Sequence, residues 1–86
     1  MDKKIANLIV QYDDGVEINM IAEEAAKAQA HLWLSNFIEE INENDVNIVL
    51  FMSKIDGWHL SIETLNRELE RRIISYLQEN YFRFSA

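Results

Sequence analysis

Apolar and polar positions alternate at two places along the chain, and each place lies beside an Asp-Gly pair. Leu8-Ile9-Val10-Gln11-Tyr12 leads into Asp14-Gly15, and Val16-Glu17-Ile18 follows with period two. An apolar run over 46–52 leads into Asp56-Gly57, and Trp58-His59-Leu60 alternates after it. Glycine takes positive φ without a Cβ clash, so both stretches read as β-hairpins. Turn, alternation and a following cap residue recur 42 positions apart, although identity is confined to Asp-Gly.

Helical periodicity follows each hairpin. Asn19 and Ser61 are N-cap types, because a side-chain oxygen can accept from first-turn N–H groups. Glu23, Glu24 and Glu63 then sit where the helix dipole favours an anion. The spacing predicts helices over about 20–41 and 62–82. The expected fold is α+β: a small antiparallel sheet with two helices on one face, in the order ββαββα, forming one compact domain over 1–86. Residues 3–12 also fit helical spacing, through Ile5, Leu8, Ile9 and Tyr12 with Asp2 as cap. If a single strand forms before the first helix, the order becomes βαββα.

The two helices differ in how much apolar surface they carry. In the second, Ile62, Leu65, Leu69, Ile73, Tyr76 and Leu77 fall within about 120° of arc, as for a helix lying on a sheet. Glu63 with Arg67 and Glu68 with Arg72 are spaced as i,i+4 pairs. In the first, apolar residues from Ile21 to Ile41 cover about 200°, and Leu34 and Ile38 intrude on the polar strip of Lys27, His31 and Ser35. One sheet face cannot cover so wide an arc, so this helix is expected to touch a second element, a second copy or a partner.

Composition narrows the classes. The chain has 86 residues, 49% hydrophobic and 27% charged, a balance that folds rather than stays disordered. It has no Cys, which excludes disulfides and thiolate zinc sites. No apolar stretch reaches the roughly 18 residues of a membrane span, and Leu8-Ile9-Val10 is too short for a signal-peptide core. A soluble, cytoplasmic protein is expected. The net charge of −7 opposes binding to nucleic acid or an anionic membrane through a general field. Residues 1–66 hold four Lys against twelve acids, whereas all four Arg lie at or after position 67.

The chemistry is sparse. His31 and His59 have no metal-site spacing around them, so solvated or structural histidines are the simpler reading. Ser61 is better explained as a cap than as a nucleophile, and two isolated glycines cannot make a phosphate loop. No catalytic residue, cofactor or metal ligand is expected. The acidic clusters Asp13-Asp14-Glu17, Glu23-Glu24 and Glu39-Glu40-Glu43-Asp45 suit solvated turns and helix ends, or a carboxylate array facing a basic protein, in the sharper version a DNA mimic. In size, acidity and the βαββα variant the chain resembles small DNA-damage-inducible recombinase inhibitors, a resemblance that implies the fold order alone and no residue roles.

The expected function is therefore that of a small acidic, non-catalytic protein that binds and modulates or inhibits another protein, as antitoxins, immunity proteins and phage-encoded host modulators do. The partner would present a basic surface. Its expected contacts are Leu34, Ile38, Trp33, Glu39, Glu40, Glu43, Trp58 and Phe84. The alternative is a homodimeric interaction module with the wide apolar helix face as its interface.

Overall fold

A computed structural model describes residues 3–81. The elements run β1 (Leu8–Tyr12), α1 (Met20–Trp33), α2 (Ile38–Glu43), β2 (Asn47–Ser53), β3 (Gly57–Glu63) and α3 (Arg67–Asn80). The α+β class holds. The sheet order is β1-β2-β3, with β2 central. β2 and β3 form the expected antiparallel hairpin around Gly57, whose φ is +81°.

The first expected hairpin does not form, so the leading order ββαββα and the all-antiparallel sheet are both corrected. Gly15 does turn the chain, with φ +81° and a Val16 N–H bond to the Asp13 carbonyl of 3.2 Å. Residues 16–18 then run unpaired into the Asn19 cap, and β1 pairs parallel with β2, Leu8 opposite Ile48 and Tyr12 opposite Met52. The alternative order βαββα describes the chain once α2 is added.

Both helices also differ in extent. Asn19 caps α1 as expected, its Oδ1 accepting from Ile21 and Ala22 N–H at 3.1 Å. The helix ends at Trp33 rather than near Ile41, and a tight turn over 34–37 starts α2. Ser61 is no cap: it lies within β3 opposite Val49. The cap of α3 is Asn66, which accepts from Leu69 N–H at 3.0 Å.

The helices cover one face of the sheet. Leu8, Val10, Ile48, Leu50, Leu60 and Ile62 pack with Ala30, Leu34, Ile38 and Ile41 of the α1–α2 stretch and with Leu69, Ile73 and Leu77 of α3. Val49 is buried yet stands outside that cluster, because alternate strand residues point to the opposite face. The stretch before β1 is tied down by side chains from the helices. Ile5 N–H donates to His31 Nε2 at 3.1 Å, and the Asn42 amide accepts from Ala6 N–H and donates to the Lys4 carbonyl, both at 2.9 Å.

Candidate functional site

Leu34 and Ile38 are core residues, 0% and 7% exposed, and are not available to another chain. Their expected placement assumed one continuous helix. The turn over 34–37, held by Leu34 N–H to the Ala30 carbonyl at 3.0 Å and Phe37 N–H to the Leu34 carbonyl at 2.8 Å, changes the phase and directs both inward. The apolar arc predicted for one helix is thus shared between α1 and α2. Two of the carboxylates beyond the turn, Glu39 and Glu40, are engaged within the chain. Glu39 pairs with Lys3, which holds its carboxyl below the usual range. Glu40 pairs with Arg72 at 2.5 Å, so Arg72 reaches across to α2 rather than along α3 to Glu68. Arg67 likewise pairs with Glu70 at 3.0 Å and not with Glu63. Glu43 is exposed and makes no ion pair among the described residues. Phe84 lies outside the described residues.

Trp33 and Trp58, 25 positions apart in sequence, are brought to one groove of about 380 Å³. Its helical wall is the small-residue stripe Ala22, Ala25, Ala26 and Ala30, and its floor is Leu50 and Leu60. Among the described residues no charged side chain lines it. Methyl side chains explain its depth, since they leave a gap between α1 and the sheet that larger residues would fill. His59 lines both this groove and a depression on the opposite face, so the groove extends to the β3 strand, whose outer edge is unpaired among the described residues.

A second surface lies where α1 begins. Ile18, Met20 and Ile21 are 69%, 75% and 85% exposed. The buried side of α1 is the i,i+4 series Ala22, Ala26, Ala30, so Ile21 turns away from the core. The carboxylates of Asp14 and Glu17 are exposed in the same stretch, and that of Glu24 stands 3.5 Å from Lys27. The neighbouring β2–β3 turn adds Ile55, 90% exposed, and is held to this end by Lys54 N–H donating to Asp13 Oδ2 at 3.4 Å. The signal for this surface was present in the sequence: two large apolar residues directly after a cap, out of phase with the alanine stripe.

Beneath it a polar chain fixes α1 to the sheet. Tyr12 Oη donates to Glu23 Oε1 at 2.6 Å, Lys27 stands 3.4 Å from Glu23 Oε2, and the Tyr12 ring meets Trp58 edge-on at 5.7 Å. Acceptance by Glu23, then partial burial, pushes the Tyr12 hydroxyl up to about 12. The same hydrogen bond, aided by Lys27, holds Glu23 below the usual carboxylate range. A carboxyl lowered on folding stabilises the fold above its unfolded value, and that contribution is lost as pH falls through the folded value. Tyr12→Phe is therefore expected to destabilise most at neutral pH. The gap from the parent should narrow as pH falls below about 4.5 and Glu23 protonates. Urea midpoints measured from pH 7 to pH 3 check this, and a gap that stays constant with pH contradicts it.

The remaining candidates are structural or quiet. His31 Nδ1 lies 2.8 Å from the Lys27 carbonyl and Nε2 takes the Ile5 N–H, so the ring clasps the stretch before β1 to α1. No group of three or more His, Asp or Glu among the described residues is placed to hold a metal ion. No described helix is long and apolar enough to cross a membrane. Comparison with protein-family models, curated proteins and solved structures gives no match.

Proposed function

We propose that the chain is a non-catalytic binding protein that modulates another protein by covering a basic surface on it, through the face at the start of α1. One observation carries this reading: Ile18, Met20 and Ile21 are large, apolar and more than two-thirds exposed, within a stretch that also presents Asp14 and Glu17. Scattered exposed apolar residues need no explanation, whereas three in four positions form a patch. Apolar anchors in a polar rim are the usual anatomy of a protein interface, with the anchors governing dissociation and the charges governing encounter. The acids at this end replace Glu39 and Glu40, whose charge is met by Lys3 and Arg72.

Met20→Gln with Ile21→Gln separates anchor from field, since it removes apolar surface and leaves the charge unchanged. The pair should weaken partner capture at least tenfold, about 1.4 kcal/mol, with the melting temperature within a few degrees of the parent. Asp14→Asn with Glu17→Gln should instead slow association and flatten its salt dependence. Cross-linked capture from lysate of the source cell, at low and high salt, checks both. Equal capture by parent and Met20/Ile21 variant refutes the reading. A homodimer, through the sheet rather than through the first helix as expected, has an observation of its own: parallel strands are normally covered on both faces, and here no described helix covers the face bearing Ile9, Val49 and Phe51. Sedimentation of the parent separates the two, a monomer favouring the first.

A further inference from the structure

The stretch before β1 runs beside α1, and a cleft of about 870 Å³ lies between them. Lys3 pairs with Glu39, Ile5 N–H meets His31 Nε2, and Tyr12 reaches Glu23. As the chain moves from 3 to 12, its contacts move back from 39 to 23, so the two walls run antiparallel. The helical wall is built from Glu24, Ala28 and Leu32 at i,i+4 spacing, with Lys27 and His31 in the row beside them. The methyl of Ala28 leaves the middle of this wall low. Lys3, Lys4, Ile5 and Leu8 form the other wall.

The cleft gathers charge against the trend of the chain. Three of the four lysines, Lys3, Lys4 and Lys27, line it in a protein of net charge −7, and Glu24 is the one acid in its described lining. These cations are not equally committed. Lys27 is held between Glu23 at 3.4 Å and Glu24 at 3.5 Å. Lys3 meets Glu39 through side chains that are 61% and 72% exposed, an ion pair of small worth that opens readily. Lys4 makes no ion pair among the described residues. Both ring nitrogens of His31 are engaged within the chain, so the histidine forms wall rather than a free donor. The cleft therefore has a cationic end at Lys3 and Lys4. Beyond it the lining is apolar, and there Leu32 is 62% exposed.

A wholly ionic ligand would leave Leu32 unused, and a wholly apolar one would leave the lysine end unmet. We infer that the cleft binds an aliphatic carboxylate, with its head between Lys3 and Lys4 and its hydrocarbon chain laid over Leu32 and Ala28 toward Leu8. The lysines attract and orient the head, and methylenes removed from water against the leucines supply the affinity. The face at the start of α1 shares no residue with the cleft, so the two sites stand or fall separately.

The test titrates the intact chain with sodium decanoate, kept below the concentration at which it forms micelles. Calorimetry and the shifts of labelled Leu and Ile methyls report binding. One molecule of decanoate per chain is expected, with Leu8 and Leu32 among the methyls that move most. Octanoate should bind about tenfold more weakly, since each buried methylene is worth roughly a factor of three to four. Decanol and decyltrimethylammonium keep the chain and lose the anion, and each should bind about tenfold more weakly than decanoate. Lys3→Gln with Lys4→Gln should lower decanoate affinity about tenfold and leave decanol unchanged, whereas Lys3→Arg with Lys4→Arg should retain it. Leu32→Ser should weaken decanoate and decanol alike. Decyltrimethylammonium binding as tightly as decanoate overturns the inference, as does decanoate affinity unchanged in the glutamine pair. Shifts confined to Leu50 and Leu60 would place the ligand in the Trp33–Trp58 groove and also overturn it, and so would the absence of heat and shifts at millimolar decanoate.

Discussion

Leu34→Asp combined with Ile38→Asp is expected to abolish folding. Both side chains are closed from solvent in the cluster that joins the α1–α2 turn to Ile48, Leu69 and Ile73. The buried residues of that cluster are all apolar, so a carboxylate at Leu34 would be buried unpaired or force the turn open, and one at Ile38 would have to turn out toward the lysines at its rim. Truncating such residues to Ala alone costs about 2–5 kcal/mol each. A buried carboxylate adds to that, and the sum reaches the ~5–15 kcal/mol a domain has in hand. Circular dichroism should show no cooperative melt. The single Leu34→Ala variant is expected to fold with a reduced melting temperature. A cooperative melt near that of the parent in the double variant would show that the 34–37 turn does not direct these residues inward.

Gly15→Val and Gly57→Val should each lose about 1–2 kcal/mol, the cost of holding a side chain in the left-handed region. A Cβ at Gly57 meets nothing within 4 Å, and one at Gly15 meets only the end of Lys54 at 3.6 Å. The loss is therefore backbone strain, similar at the two sites. At roughly 4–8 °C per kcal/mol for a domain of this size, melts should fall by about 5–15 °C. Gly57→Asn should lose less, because asparagine tolerates that region. Valine variants that melt with the parent would contradict the positive φ at these turns. These variants test the turns and not the strands around them, since Gly15 turns the chain without a hairpin.

That distinction marks what the sequence could and could not reveal. Asp-Gly reports a local backbone geometry, which both sites adopt, whereas strand pairing depends on where a distant segment settles. Period-two alternation in Val16-Glu17-Ile18 could not say that β1 would find β2 across 40 positions of chain. Asn19 was legible as a cap because its bonds are local, while Ser61 was misread because a strand residue at the right spacing looks the same. The break after Trp33 was the costliest omission. No glycine or proline marks it, and only Ser35-Asn36, both poor in a helix interior, hints at it. Missing it carried Leu34 and Ile38 to the surface and hid the exposed patch at the other end of α1. Trp33 and Trp58 were singled out individually, but only the tertiary arrangement puts them in one groove.

The parallel pairing of β1 also bears on how the chain assembles and comes apart. The β2–β3 hairpin closes over a three-residue turn, whereas β1 closes a loop some 40 residues long. The longer closure costs about 2 kcal/mol more in chain entropy. Contacts of high sequence separation are late to form, so β1 is the last strand on and, in partial unfolding, the first off. Its departure uncovers one edge of Ile48-Val49-Leu50-Phe51-Met52, five apolar residues without a charge or proline. Such a segment with a free edge is a template for cross-β stacking. The short outer strand, whose lead-in over 4–6 is clasped by His31 and Asn42, therefore also serves as the guard that keeps the central strand from pairing with copies of itself.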